Sequence, residues 1–229
     1  MNINFKYKIK DYSLYEVAEI NSTNTYFKDN YDKYSDKSIL IALRQTAGRG
    51  RIDHVWVSEN DLTFSILFNS KQNYQLPALA VLEALKEYNI DTKIKWPNDI
   101  FYNNMKICGI LIEDIYLDKF YASIVGIGIN LTDKEEFNVK NLNKLYDIDK
   151  YELLSKIAIN YDKISKLNDL ERLKLYKENS LVLNKKIIYN GSIYNVIDIN
   201  EDGSLKVEKD GILCDISYGD IELMSVNYK

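Results

Sequence analysis

The chain has little of what several common kinds of site require. It holds one histidine and two cysteines in 229 residues, and the cysteines, Cys108 and Cys214, are far apart. This usage excludes a disulfide framework, a zinc site built on His and Cys, and a metal motif made of paired histidines. We expect both thiols to be buried small hydrophobes in a reducing cytoplasm.

Long apolar runs and an excess of basic charge are also lacking. No run is long enough to span a bilayer, and no basic start followed by an apolar segment precedes residue 30. The formal net charge of -4 and the pI of about 5.2 have the wrong sign for a chain that grips nucleic acid over a broad surface. We therefore expect a cytoplasmic protein that binds neither membrane nor nucleic acid.

What is present fits a globular protein of one large domain, or of one medium and one small domain. Loose alternation over residues 5–20 is typical of a strand, and a polar cluster from Ser22 caps a helix predicted over 26–31. Apolar periodicity predicts further strands over 38–43, 61–68 and 93–96, and helices over 77–88, 150–166 and 169–178. Asp149 and Glu152 have capping-box spacing at the start of the helix over 150–166.

The pattern changes after residue 179. Asn-Gly and Asp-Gly pairs at 190–191, 202–203 and 210–211 separate short β-rich runs. Such pairs mark tight hairpin turns, because glycine adopts positive φ without strain. This part of the chain predicts a small all-β barrel.

The richest stretch in chemistry runs from Gln45 through G-R-G-R to Trp56, directly after the strand predicted over 38–43. Its glycines let the backbone lie close to a ligand, and its arginines suit carboxylates and phosphates. Alone, the stretch could equally be a solvated basic turn. It predicts an anion site only if other motifs join it.

Other motifs do join it. Lys95 begins K-W-P-N-D, Lys106 stands shortly before G-I-L, and Ser22 begins S-T-N upstream. Downstream, G-I-G-I-N over 126–130 lacks the third glycine and the following helix of a dinucleotide-binding loop. In order and spacing these motifs resemble those of the biotin protein ligases, and the resemblance covers essentially the whole chain.

The resemblance implies an α+β fold: a mixed-sheet catalytic domain of the biotin/lipoate ligase, class II synthetase-like type over 1–180, followed by an SH3-like β-barrel over 181–229. The bifunctional branch of the family carries a DNA-binding winged helix, which the few residues before Ser22 cannot supply. The chain therefore resembles the single-function ligase.

The implied activity is ATP-dependent formation of biotinyl-5'-AMP, followed by transfer to a lysine of a biotin carboxyl carrier protein, of acetyl-CoA carboxylase or a related carboxylase. Lys106, Arg51 and Asp99 are the implied catalytic residues. The biotin-binding residues implied are Ser22, Thr23, Asn24, Gln45, Gly48, Arg49, Gly50, Arg51, Lys106 and Gly109. The ATP-binding residues implied are Arg49, Arg51, Trp56, Lys95, Asn98, Lys106 and Asn130.

Mg²⁺ is expected to bridge the phosphates with few protein ligands, so we predict no metal site made of side chains. The loop over 46–57 is expected to be mobile without ligand and ordered over biotinyl-AMP. A homodimer, the choice of carrier protein, the order of substrate binding and the role of the barrel stay open.

The chain departs from the family at Asp53-His54, where the family commonly repeats Gly-Arg. A protonated His54 would replace an arginine in part, whereas Asp53 adds negative charge near the bound phosphates.

Two other functions stay in competition: a lipoate or octanoate transferase of related fold, and a non-catalytic biotin-binding protein. The G-R-G-R loop ending in Trp argues against the first, and Lys106 with both arginines against the second.

Overall fold

The computed structural model describes residues 2–52, 54–117, 120–132, 142 and 146–224. The side chains of residues 59, 60, 117 and 120 and the whole of Asp53 lie outside that description. The strands are β1 Asn4–Ile9, β2 Tyr12–Ile20, β3 Ser38–Gln45, β4 Ser58–Phe68, β5 Lys93–Lys95, β6 Asp99–Tyr102, β7 Met105–Leu117, β8 Phe120–Ile129, β9 Lys186–Tyr189, β10 Ser192–Ile199, β11 Leu205–Lys209, β12 Ile212–Ile216 and β13 Glu222–Leu223. The helices are α1 Thr23–Asn30, α2 Gln75–Lys86, α3 Lys150–Ser165 and α4 Asp169–Glu178, with a 3₁₀ turn at Tyr31–Lys33.

An eight-stranded mixed sheet, in the order β1-β2-β3-β4-β8-β7-β6-β5, forms the main layer. Among the neighbouring strands that the structure describes, β2 and β3 are the one parallel pair, and α1 lies between them in the chain. The other neighbours pair antiparallel. The α+β prediction with a mixed sheet is therefore confirmed.

Alternating side chains of β4 show how the sheet is covered. Phe64 and Ile66 are buried in the larger core with α2 and α3, whereas Leu67 is buried in a smaller core on the other face with Phe27 of α1. The period of two along a strand sends neighbours to opposite faces. Both faces of the sheet therefore carry helices.

Polar caps begin three of the helices. Ser22 accepts from the backbone N–H of Thr25 to cap α1, and Asp149 accepts from two backbone N–H groups to cap α3. Asn168 and Glu171 form a reciprocal capping box at α4. Each cap satisfies donors that the first turn of a helix leaves open. The caps at Ser22 and Asp149 are those that the sequence pattern predicts.

Five antiparallel strands, in the order β12-β11-β10-β9-β13, form the second sheet. Asn190-Gly191 and Asp210-Gly211 have positive φ at both positions, as tight hairpin turns require. This five-stranded antiparallel sheet is consistent with the SH3-like domain that the resemblance implies. Its described pairings leave β12 and β13 unpaired with each other, so the predicted barrel is not closed among the described residues.

The remaining differences from the sequence patterns are local. The strand predicted over 5–20 is split into β1 and β2 by a turn at Lys10, whose φ is 50°. α1 begins directly after Ser22 rather than at 26, and α2 covers Gln75–Lys86 rather than 77–88. Cys108 is buried as predicted, but the prediction is wrong for Cys214, which is exposed because β12 is an edge strand of the second sheet. None of the described helices is long and apolar enough to cross a membrane.

Candidate active site

A cavity of about 730 Å³ opens between the main sheet, the loop over residues 46–57 and the segment just before β13. We call residues 46–57 the ligand loop. The cavity is lined by Ser22, Thr23, Asn24, Gln45, Arg49, Gly50, Arg51, His54, Val55, Trp56, Val57, Thr63, Phe64, Lys95, Trp96, Pro97, Asn98, Asp99, Asn104, Met105, Lys106, Gly109, Ile110, Leu111, Gly126, Ile127, Gly128, Asn130, Asp220, Ile221 and Glu222. Its volume falls within the range of small-molecule sites.

The ligand loop folds back on itself. The N–H of Gly50 donates to the carbonyl of His54 at 2.6 Å, and the N–H of Trp56 donates to the carbonyl of Gly48 at 2.9 Å. A Cβ on Gly48 would lie 2.3 Å from the carbonyl oxygen of Trp56. Any larger residue at Gly48 would therefore push the two arms of the loop apart.

Two glycines form the floor under the indole of Trp56. Gly109 on β7 and Gly128 on β8 are partners across the two strands. A Cβ on Gly128 would lie 2.3 Å from the indole, and one on Gly109 would lie 3.0 Å from it. The indole therefore packs closely against bare backbone at both glycines, and an indole beside a cavity suits stacking against a planar ring.

Arg51 is held from several sides. Its Nη1 donates to Oδ1 of Asn98 at 3.0 Å and lies 3.7 Å from Oδ1 of Asp220, and its Nη2 donates to the carbonyl of Gly219 at 3.4 Å. The side chain is only 15% exposed. These contacts fix one guanidinium beside the cavity and connect the ligand loop to the segment before β13.

Lys106 and Asp99 face each other across the β6–β7 hairpin. Nζ of Lys106 lies 2.8 Å from Oδ1 of Asp99 and 6.0 Å from the ring centre of Trp56. Lys106 is the more exposed partner, at 43% against 17% for Asp99. A flexible ammonium beside a half-open cavity can place its charge on an anion that enters.

A group of polar side chains lies at the start of α1. Oε1 of Gln45 accepts from the N–H of Thr23 at 2.8 Å and lies 3.0 Å from the Thr23 hydroxyl. The hydroxyl of Ser65 lies 2.6 Å from both Oγ1 of Thr23 and Oδ1 of Asn24. Because Thr23, Asn24 and Ser65 are all buried, this end of the cavity is rigid as well as polar.

Arg49 lies on the other side of the ligand loop and forms an ion pair with Glu113 of β7. Burial acts to raise the pKa of Glu113, but hydrogen bonds from Arg49 and Asn24, with the charges of Arg49 and Lys28, outweigh it and hold the pKa below its ordinary value. Glu113 is therefore ionised at neutral pH.

The family model of the biotin/lipoate A/B protein ligases matches residues 16–130. The chain belongs to this family. The chain is similar to the biotin protein ligase of Aquifex aeolicus, solved in complex with biotin and ATP, at 29% identity and a TM-score of 0.75 over 92% of this chain and 97% of that one. It is also 32% identical to biotin--protein ligase 2 of Arabidopsis thaliana over 51% of this chain, a match that spans 40% of the length of the plant protein. The bifunctional ligase/repressor BirA of Escherichia coli is 29% identical over 90% of this chain and 72% of its own length.

The residues that the family resemblance implies for the site come together around one cavity. Gly48 is the exception: it lies behind the cavity wall, against the backbone of Trp56. Ser22, Arg49 and Lys106, which are far apart in sequence, all line the cavity. Their individual roles stay predictions.

Sequence reasoning gave no role to several residues at or beside the cavity. Ser65 lies on β4 and Glu113 lies on β7. The alternating pattern of a strand indicates which face of the sheet a residue occupies, but not which residues it contacts. Asp220 comes from the far end of the chain, and Nε2 of His54 lies 3.2 Å from its Oδ2. His54, which stands at the family's Gly-Arg position, therefore contacts a carboxylate here, while Asp53 lies outside the described residues.

The described residues do not fit a metal site made of side chains alone. Within the described ranges, no three His, Cys, Asp or Glu side chains are grouped closely enough to hold an ion. Asp99, the carboxylate among the predicted catalytic residues, is paired with Lys106.

Proposed function

We propose that the protein is a biotin protein ligase that forms biotinyl-5'-AMP from biotin and ATP and passes the biotinyl group to a lysine of a biotin carboxyl carrier protein. The observation that carries this proposal is the single cavity that joins Arg51 and Lys106 to the buried polar group around Thr23. Anion-binding cations at one end and fixed hydrogen-bonding groups at the other match a ligand with a carboxylate and a polar ring.

In the first half-reaction, an oxygen of the biotin carboxylate attacks the α-phosphorus of ATP. The new C(O)–O–P link forms as the bond to pyrophosphate breaks. The protein supplies position and charge rather than a covalent partner. Arg51, fixed by Asn98, clamps phosphate oxygens, and Lys106 offsets the negative charge of the α-phosphate oxygens as the bond to pyrophosphate breaks.

In the second half-reaction, the amine of the carrier lysine attacks the acyl carbon of biotinyl-AMP. An amide bond forms and AMP leaves with the electrons of the C–O bond. The amine must lose protons as it attacks, and Asp99 at the cavity wall is the carboxylate that aligns it or accepts a proton.

The two ends of the ligand are assigned to different groups. Thr23, Asn24 and Gln45 bind the biotin ring through a hydrogen-bond pattern that buried partners hold rigid. Trp56 stacks against adenine above the glycine floor, and Asn130 lies nearby at the end of β8. Lys95, Asn98 and Arg49 complete the nucleotide side.

The test is ATP–pyrophosphate exchange with the purified chain, run with biotin and with lipoate in parallel. We expect exchange that depends on biotin, with little from lipoate. Exchange that prefers lipoate would favour the transferase, and tight biotin binding without any exchange would favour a non-catalytic binder. Biotinylation of a carrier domain, followed by mass, then tests the second half-reaction.

We also propose the division of the chain at residues 1–180 and 181–229, because the main sheet and α4 precede that point and the second sheet follows it. The free thiols of Cys108 and Cys214 support a reducing cytoplasm.

A homodimer has support from β1, an edge strand that exposes Phe5 and Tyr7. Sedimentation at several concentrations tests that assembly.

A further inference from the structure

Glu113 is a largely buried carboxylate that the proposed reaction does not use. Its side chain is 15% exposed, and it stands behind the cavity on β7 rather than lining it. A buried charge is costly unless partners offset it. Its partners therefore indicate what it does.

Three donors from two elements converge on this carboxylate. Arg49 of the ligand loop forms an ion pair with Oε1, and Nδ2 of Asn24 donates to Oε2 at 3.1 Å. Nζ of Lys28, on the same helix as Asn24, lies 3.6 Å from Oε1. Glu113 thus contacts the ligand loop and α1 at the same time.

The amide of Asn24 has one orientation that fits its surroundings. Its Oδ1 lies 2.6 Å from the hydroxyl of Ser65, and its Nδ2 faces the carbonyl of Leu111 and the carboxylate of Glu113. The reversed amide would turn its oxygen toward two acceptors. Glu113 therefore helps to fix Asn24 at the polar end of the cavity.

Gly126 on β8 limits movement of the Asn24 side chain on another side. A Cβ on Gly126 would lie 2.3 Å from Oδ1 of Asn24, so the amide is packed directly on the backbone of β8. With β8 on one side and Ser65 on another, a change at Glu113 is passed to Arg49 and Asn24 rather than absorbed by movement.

We propose that Glu113 is a positioning residue: it holds Arg49, and with it the ligand loop, against β7, and it joins that loop to the Thr23–Asn24 end of the cavity. The inference rests on the proposed function only in taking biotin and ATP as the ligands. Without the carboxylate, the ordered form of the loop loses this support, so the loop is more mobile in the free protein and each ligand must supply more free energy to order it on binding. That cost weakens binding while the reacting groups stay unchanged.

The test compares Glu113→Gln with a matched control, Glu87→Gln. Glu87 is also a carboxylate with one ammonium and one amide donor: Nζ of Lys156 at 2.9 Å and Nδ2 of Asn160 at 2.9 Å. It follows α2 and does not line the cavity. Both variants remove one charge and keep the shape of the side chain.

Two measurements are made on each variant of the whole 229-residue chain. The first is the rate of trypsin cleavage after Arg49 and Arg51 in the ligand-free protein, with fragments identified by mass. We expect cleavage to be about tenfold faster in Glu113→Gln than in the wild-type protein, a factor that corresponds to about 1.4 kcal/mol. We expect Glu87→Gln to be cleaved at the wild-type rate. The second is pyrophosphate exchange, where we expect KM for biotin to rise about tenfold and kcat to stay within about twofold.

If Glu113→Gln is cleaved at the wild-type rate, Glu113 does not hold the loop and the proposal is overturned. If cleavage is accelerated equally in both variants, the effect is a general destabilisation, and the proposal is overturned as well. A lowered kcat at unchanged KM overturns it as well. If the wild-type protein lacks exchange, the proposed function fails, and the cleavage comparison alone decides for or against the role of Glu113.

Discussion

Lys106 and Asp99 form an ion pair, with Nζ 2.8 Å from Oδ1, so the cation and the carboxylate proposed for different half-reactions neutralise each other before a ligand enters. An entering carboxylate or phosphate competes with Asp99 for the ammonium. In the proposed reaction, once Lys106 turns to the reacting oxygens, the carboxylate of Asp99 is free to accept a proton from the incoming amine. The pair thus connects the two half-reactions through one proton-accepting group.

Replacing Lys106 by alanine is expected to slow adenylation most. Charge on the carboxylate and α-phosphate oxygens changes as the mixed anhydride forms, and the loss of one such donor costs on the order of 10²-fold in rate. Biotin-dependent pyrophosphate exchange measures this step. Lys93→Ala is the control, since Lys93 has similar exposure, at 42% against 43%, but does not line the cavity. Exchange unchanged by Lys106→Ala contradicts the role.

Replacing Asp99 by asparagine is expected to slow transfer more than adenylation. The amide keeps the shape of the carboxylate but cannot accept a proton from the amine of the carrier lysine. The measurement is acylation of a carrier domain from preformed biotinyl-AMP, set beside pyrophosphate exchange with the same protein. An equal loss in both steps would show that Asp99 acts chiefly by placing Lys106.

Replacing Gly128 by alanine is expected to displace the indole of Trp56. The new Cβ would lie 2.3 Å from the ring, and a side chain in a loop yields more readily than β8 does. We expect KM for ATP to rise about tenfold, since base stacking on an aromatic ring contributes about 1–3 kcal/mol. Trp fluorescence reports the displacement, and far-UV circular dichroism checks the sheet. A KM for ATP at the wild-type value would refute the stacking role.

Replacing Glu87 by glutamine is expected to lower stability at neutral pH and not in acid. Hydrogen bonds from Lys156 and Asn160 hold the pKa of Glu87 below 4.5. Folding therefore favours the ionised carboxylate, whose contribution is complete above pH 4.5 and is lost as the pH falls through the lowered pKa. Because the side chain is 40% exposed, the loss should stay below about 1 kcal/mol. Urea unfolding of both proteins at pH 7 and pH 3 measures it, and an equal difference at the two pH values speaks against the ion pair.

Local patterns in the chain predict much of this fold. The caps at Ser22 and Asp149 and the hairpin turn at Asn190 depend on neighbours a few residues away, which a sequence displays directly. The turn at Lys10 was missed because a lysine with positive φ carries no glycine or asparagine signal. The start of α1 was placed too late because Thr23 and Asn24 favour caps over helix interiors.

The parts of the site that sequence reasoning missed depend on contacts between distant segments. Glu113 meets Arg49 only because β7 lies where the ligand loop folds back, and Ser65 meets Asn24 only because α1 packs over β4. Asp220 reaches His54 across 166 positions of the chain. No periodicity or turn signal encodes such pairs, so the motif residues could be predicted while their neighbours could not.

The segment before β13 contacts Arg51, and the indole N–H of Trp96 donates to the carbonyl of Gly203 at 2.7 Å in the loop between β10 and β11. Part of the second sheet is therefore built into the wall that a ligand would touch. Mass action then links ligand occupancy to the folding of that sheet: a ligand that binds only when the sheet is folded raises the apparent melting temperature of the sheet.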